Sequence, residues 1–283
     1  MKMSNKIIVL GVSGLFVTAL ALSISMRNIT ASGDEKNSNS FFKIYSDKMI
    51  VGNEKMQSTT ISIPKIDTAS IHGKFNVTIQ PGKENTATVT TDENILPSID
   101  MLSSNNQLKI GIKSGISVTF SKTPTAVITS PTLQHINLNG KNTLDAKNLN
   151  LDHLALSTSG NNTAQLQGDI KTLQLTLNGK SDIHANLANE NNILLIINGN
   201  GKVFLTGTAK QLTINVAGRA TVFAKDLIAE TVVIQGAGKS EIIVHASKNL
   251  SILTAGENNI KYYGNPHVTN NYFGQTTVER MVP

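Results

Sequence analysis

"LTLNGKSDIHANL", residues 175–187, alternates apolar and polar side chains and is interrupted once, at Gly179. The pattern returns. LSTSGNNTAQL (156–166) precedes it, and LIINGNGKVFL (195–205), INVAGRATVFA (214–224) and IQGAGKSEIIV (234–244) follow. Nearly every letter changes between copies, but the places of the apolar residues and of the glycine do not. The marker glycines are Gly140, Gly160, Gly179, Gly199, Gly218, Gly238 and Gly256, at intervals of 20, 19, 20, 19, 20 and 18 residues. A fixed period near 20 is the mark of a solenoid.

The columns of the repeat give its faces. Four residues before the glycine stand Ile136, Leu156, Leu175, Leu195, Ile214, Ile234 and Ile252. Four after it stand Leu144, Ala164, Ile183, Val203, Val222, Ile242 and Ile260, and six after it Ala146, Leu166, Ala185, Leu205, Ala224, Val244 and Tyr262. Residues two apart on a strand share a face. Each copy is therefore strand, glycine corner, strand, with one apolar face turned inward, and stacked copies lie about 4.8 Å apart. One copy buries too little to fold alone and is completed by its neighbours. The fold expected is all-β, a parallel β-helix of ~20-residue coils. The glycine is expected because the chain turns sharply there, and a residue without Cβ turns at least cost. The residue just before it reads Asn139, Ser159, Asn178 and Asn198, then alanine at 217, 237 and 255. Stacked asparagines of this kind form side-chain ladders.

The rest of the chain divides by composition. Residues 1–25 begin with Lys2 and Lys6, run apolar from Ile7 to Leu22 and end in small residues, the pattern of a cleaved signal peptide. An uncleaved membrane anchor is the competing reading. Both export the remainder, to the periplasm, the outer-membrane surface or the medium, and the lack of cysteine excludes lipoprotein processing. Residues 26–58 read as a polar spacer, and 59–282 as one β-helix domain with repeats clearest over 133–264. Residues 59–130 carry short alternating runs such as KFNVTIQPG and QLKIGIK.

Composition closes several functional classes. Without cysteine there is no disulfide framework, thiolate nucleophile or cysteine metal site. Tryptophan is absent and aromatics make up 4%, which leaves few platforms for stacking sugars or bases. The formal charge is +6, two of it in the export segment, too little for a nucleic-acid footprint.

The run ASIHGKFNVTIQPGKENTATVTTDENI, then NNQLKIGIK, the repeats LNGKSDI, INGNGKV and GAGKSEI, and the closing NNIKYYGNPHVTNNYFG resemble the head GIN domain family, exported bacterial β-solenoid proteins of the auto-transporter adhesin type. The resemblance spans about residues 55 to 280. It implies a right-handed parallel β-helix and an adhesion-like role, and it supplies no catalytic residues. Paired glycines at the turns survive here only at Gly199–Gly201 and Gly236–Gly238.

Two surfaces are candidate binding sites. The residue after the marker glycine gives Lys141, Lys180, Arg219 and Lys239, cations on one edge that suit a polyanion such as a charged surface glycan. A solvated turn that protects the edge is the plainer reading of the same column. Five after the glycine, an outward column carries Phe204, Phe223 and Ile243, with Leu194 and Ile196 apolar on the outer face of a nearby strand. A contiguous apolar patch of this kind calls for a cover, either residues 59–130 or a second copy of the chain.

A carbohydrate-active β-helix enzyme is the rival class. It needs two carboxyl groups roughly 5 to 9.5 Å apart. The outward acids Asp145, Asp182 and Glu241 fall in different coils, the last two about 14 Å apart at three coils' separation. The six histidines, His72, His135, His153, His184, His245 and His267, show no metal-ligand spacing. Asp182 and His184 alternate outward on one strand, a weak ion site at most. The expectation is a non-enzymatic, adhesin-like binding or surface-structural protein without cofactor or metal. Its partner is a cell-surface glycan or protein rather than nucleic acid. It meets a membrane only through an uncleaved leader, and self-association is open.

Overall fold

The computed structural model describes residues 48–282, so the export segment and the spacer up to residue 47 lie outside it. In chain order the strands are β1 (Lys48–Val51), β2 (Met56–Ser62), β3 (Thr68–Gly73), β4 (Asn76–Gln80), β5 (Thr86–Asp92), β6 (Ile99–Ser104), β7 (Gln107–Ile112), β8 (Ile116–Thr119), β9 (Thr125–Thr129), β10 (His135–Gly140), β11 (Thr143–Leu177), β12 (Lys180–Ile197), β13 (Asn200–Val216), β14 (Arg219–Tyr263) and β15 (His267–Arg280). From β10 onward neighbours pair in parallel. Leu175 lies beside Leu195, Leu195 beside Ile214, and Ile214 beside Ile234, one member per coil. The chain is a parallel β-helix, as the period requires.

Alternation places the core. All seven residues of the column four before the glycine, and all seven of the column four after it, are buried. The column six after the glycine is buried too, apart from half-buried Tyr262. Coil length varies by a residue or two, and the variation is absorbed away from the glycine. Register shifts fall between Asp169 and Thr172, between Leu187 and Asn192, and between Phe204 and Gly207. The register is the same on the two sides of the glycine corner, where Ile197 lies beside Leu177 and Asn200 beside Lys180.

The reason for glycine differs from the expected one. Gly140, Gly160 and Gly256 do adopt positive φ (112°, 94° and 105°), but Gly179, Gly199, Gly218 and Gly238 do not. What all seven share is a close approach. A Cβ on any of them would run into the carbonyl oxygen of the glycine one coil earlier. That oxygen is also used: Asn200 N–H donates to Gly179 O (2.9 Å) and Arg219 N–H to Gly199 O (2.9 Å). The column extends to Gly73 and Gly274 as well, which pair with Gly140 and Gly256.

Gly73 carries the stack one coil beyond the periodic repeat. β3 and β4 form a first coil, β3 pairing with β10 and β4 with β11. It escaped the repeat because 67 residues separate Gly73 from Gly140. The intervening chain is not solenoid. β5 lies antiparallel between β2 and β9, and β6 is antiparallel to β7. β7 and β9 then add in parallel to β3 and β4 and cover the first coil. The expectation of a uniform β-helix from residue 59 is corrected here, as is the spacer's end at 58, since β1 pairs with β8 and β2 with β5. Period-two alternation reads the same in parallel and antiparallel strands. Asp92 ties this region together, accepting from the Ser121 hydroxyl, Ser121 N–H (3.0 Å) and Glu54 N–H (2.9 Å). Burial alone would raise its carboxyl pKa, but these hydrogen bonds prevail and hold it below the usual value.

A second ladder lies inside the corner, two residues after the glycine, where Asn142, Asn162, Ser181, Ser240 and Asn258 are buried. Asn162 Oδ1 accepts from Asn142 N–H (3.0 Å) and Nδ2 (3.1 Å), while its own Nδ2 donates to Ser159 O (2.8 Å). Asn142 Oδ1 accepts from Phe75 N–H (3.1 Å), and Ser240 Oγ donates to Asn258 Oδ1 (2.7 Å). The asparagines before the glycine make one such link, Asn198 to Asn178 (2.9 Å), on the exposed side.

These placements set two stability tests by urea unfolding. Asn162→Ala leaves buried donors and acceptors without partners and should cost about 1–3 kcal/mol, whereas Asn198→Ala on the surface should stay within about 0.5 kcal/mol. Leu195→Asp buries a charge between two coils and should cost about 4 kcal/mol or more, while Thr176→Asp, on the opposite face, should be mild.

Candidate functional site

Unbroken register at the corner arranges every outward column in file. The first position after the glycine reads Lys141, Asn161, Lys180, Asn200, Arg219, Lys239 and Glu257, with Lys180 beside Asn161 and Asn200, and Asn200 beside Arg219. All are exposed. Lys141, Lys180 and Arg219 stand two coils, about 9.5 Å, apart. The structure adds one cation and neutralises another. Lys74 follows Gly73 and so heads the file beside Lys141, whose N–H donates to Gly73 O (2.8 Å). Lys239 Nζ lies 2.6 Å from Glu257 Oε1 in the next coil. The dipeptide Gly73–Lys74 matches Gly140–Lys141 and Gly179–Lys180, a signal that was present in the sequence but off the period.

The outward column five after the glycine is a stack. His184 and Phe204 are 4.4 Å apart between ring centroids with planes inclined 14°, and Phe204 and Phe223 are 5.0 Å apart at 22°. Lys202 Nζ sits 4.8 Å from the centre of the Phe204 ring. Phe204, Phe223 and Ile243 are half-buried, because stacked neighbours cover each other's faces. Leu194 and Ile196, also half-buried, are not in this column. Leu194 pairs with Gln174 and Thr213, and Ile196 with Thr176 and Asn215, on the strand before the glycine. The expected patch is therefore divided by the corner. Residues 59–130 pair with the first coil, so the first of the two covers considered does not lie over Phe204 and Phe223. A shallow groove of about 330 Å³ flanks the stack, lined by Lys147, Gln165, Gln167, His184, Asn186 and Thr206 among others.

The acids are engaged separately. Asp145 pairs with Lys147 (2.9 Å) and Asp182 lies 3.2 Å from His184. Asp182 and Glu241 stand three coils apart in one column. Among the described residues no three histidine, aspartate or glutamate side chains gather in a way that could hold a metal ion. His135 and His153 meet edge to face at 5.7 Å. His72 is pushed below its ordinary pKa, first by burial and then by Lys109.

A more enclosed cavity opens at the far side of the first coils. It measures about 210 Å³ and is lined mainly by Ile79, Leu133, Ile136, Leu149, Leu151 and Leu154. It lies where the chain leaves the first coil at Gln80 and returns at Ser130.

The model of the family described as "putative auto-transporter adhesin, head GIN domain" matches residues 66–266, from just before β3 to just before β15. The chain belongs to the head GIN domain family. Head GIN resemblance extends to solved structures. A "putative adhesin" from Parabacteroides merdae matches with TM-score 0.77 at 22% identity, over 83% of this chain and 100% of that one. A second, from Parabacteroides distasonis, gives 0.75 at 23% over the same shares. A "putative lipid binding protein" from Parabacteroides distasonis gives 0.67 at 21%, again over 83% and 100%. At these identities the likeness shows the fold. No curated protein matches the head GIN chain. Among the described residues no helix is long and apolar enough to cross a membrane.

Proposed function

We propose that this head GIN protein is an exported, non-enzymatic, adhesin-like module that holds an anionic polymer of a cell surface along its glycine corner. The observation that carries the reading is the single file of exposed cations Lys74, Lys141, Lys180 and Arg219, kept in line by the glycine ladder. A polymer with regularly spaced negative groups meets such a row at several points, and charge attraction also speeds its capture. Lys239 belongs to the expected edge but spends its charge on Glu257. The adhesin names of the family and of two similar structures support the role. Against an enzyme stands the separation of two of the outward acids. Asp182 and Glu241 lie about 14 Å apart along the stack, beyond the roughly 5 to 9.5 Å that glycoside hydrolysis uses.

Binding to dextran sulfate measures this directly. Affinity should fall steeply as salt shortens the screening length from about 10 Å at 0.1 M. Replacing Lys74, Lys141, Lys180 and Arg219 with glutamine should remove binding without lowering the melting temperature. Lys239→Gln should do little, and Glu257→Gln should strengthen binding by freeing Lys239. Absence of binding, or binding indifferent to salt, overturns the reading.

The apolar cavity favours a second reading, that the protein holds the end of an acyl chain. A leucine- and isoleucine-lined cavity of about 150 Å³ stays dry and accepts benzene. This one is larger, and one similar structure is named as lipid binding. Titration with a fluorescent fatty acid should saturate, and Leu151→Asp at the half-buried edge of the cavity should weaken it at least tenfold. No saturable binding removes this reading.

A further inference from the structure

Among the described residues the solenoid is covered at one end and bare at the other. β7 and β9 cover the first coil, whereas among the described residues β15 pairs with β14 alone. Its register is unbroken from His267 beside Asn249 to Arg280 beside Tyr262. Every second residue of such a strand turns its N–H and C=O away from its neighbour. Exposed edges of this length are ordinarily blunted by proline, lysine or a bulge. β15 has none of these, and its charged residues, Glu279 and Arg280, sit at its end. Tyr272 and Phe273 are 43% and 66% exposed.

We propose that β15 is a self-pairing edge, through which two copies of this chain join end to end about a two-fold axis passing through Gly274. The inference rests on side-chain parity around the corner. Gly274 continues the glycine column, so β15 has one arm before the corner and one after it. For both arms to pair, corner must meet corner, which sets Gly274 opposite Gly274. Antiparallel pairing then sets Tyr272 opposite Thr276, Asn270 opposite Val278, and Val268 opposite Arg280. All six positions continue inward columns of the coil, so inward meets inward at each pair. A slip of one residue would set inward against outward along the whole strand. The joint covers Tyr272 and the half-buried Val268 and Val278. Charge is compatible with it, because Glu279 meets Thr269 and Arg280 meets Val268, and no like charges oppose. Each copy offers the same patch, as a closed two-fold interface requires. The axis through the corner also brings the two glycine columns into line on one side. The basic file of the proposed polymer site is thereby doubled, which raises avidity for a polymer long enough to span both copies.

Sedimentation of the chain with no glycan present reads the pairing independently of the polymer proposal. A dimer is expected. Asn270→Lys together with Tyr272→Lys should make it monomeric with unchanged circular dichroism. Because the chain has no cysteine, the register is testable by cross-linking. Opposed residues in an antiparallel pair stand about 5.5 Å apart, within disulfide reach of roughly 4.4–6.8 Å. Asn270→Cys with Val278→Cys should therefore link two chains on oxidation, and Asn270→Cys with Thr276→Cys should not. A chain monomeric at its highest soluble concentration overturns the proposal. So does equal cross-linking of both cysteine pairs. A dimer that dissolves on Phe204→Lys with Phe223→Lys, yet survives the β15 changes, overturns it as well.

Discussion

Adjacent coils approach so closely at one corner that a side chain there would strike the carbonyl of the coil before. The rest of the molecule is arranged around that contact. It holds the backbone of each coil against the last at a fixed point, and the hydrogen bond from the next residue to the glycine oxygen closes it. Because the contact admits no Cβ, it also admits no slippage: a register change would move a side chain into the gap. The buried asparagine and serine ladder just inside the corner reinforces the same alignment with side-chain hydrogen bonds. Such groups are costly to bury unpaired, so each favours a stack in which its neighbour is in place.

From this constraint follows a division of labour around the coil. The glycine side is regular and the opposite side is free to vary, as the register shifts near residues 170, 190 and 206 show. Surface features that depend on repetition therefore gather near the corner. The cation file and the His184–Phe204–Phe223 stack both lie within five residues of the glycine. The backbone sets the spacing of both, and in the stack the rings also touch directly. The irregular side instead carries the partly open, mostly apolar cavity described above, where an insertion interrupts the first coil. Regular corner and irregular rear thus offer different chemistry, a repeating charged row and a single apolar recess.

The two ends of the solenoid are also unlike. A stack of strands leaves an unsatisfied edge at each end. At the first coil the chain spends residues 81–134 on strands that add to that edge and close it. The last coil receives no such cover from the described residues. One inward position turns polar, Asn270 where earlier coils carry leucine or isoleucine, while Thr276 continues the asparagine and serine column beside Asn258.

Much of the repeat was legible in the letters alone. Leu175, Leu195 and Ile214 announce a buried column because alternation and a 20-residue period are local facts, and a single coil repeated fixes its own inward face. Lys141, Lys180 and Arg219 fell into one column by the same arithmetic. What the letters left open depends on partners distant in the chain. Gly73 and Lys74 belong to the stack, but an insertion hides them from any fixed period. Nor does alternation separate β5 to β9, which pair in both parallel and antiparallel fashion, from coils. Glu257 lies 18 residues from the lysine it neutralises, and Leu194 and Phe204 lie close in sequence but across a corner. The role of the glycines themselves is not in the letters either, since Gly179 and Gly199 take no special backbone angle and are required by the close approach of the preceding coil. Sequence records what each residue is and how often it recurs, but which backbone it must pass, and how closely, is settled only when the coils stack.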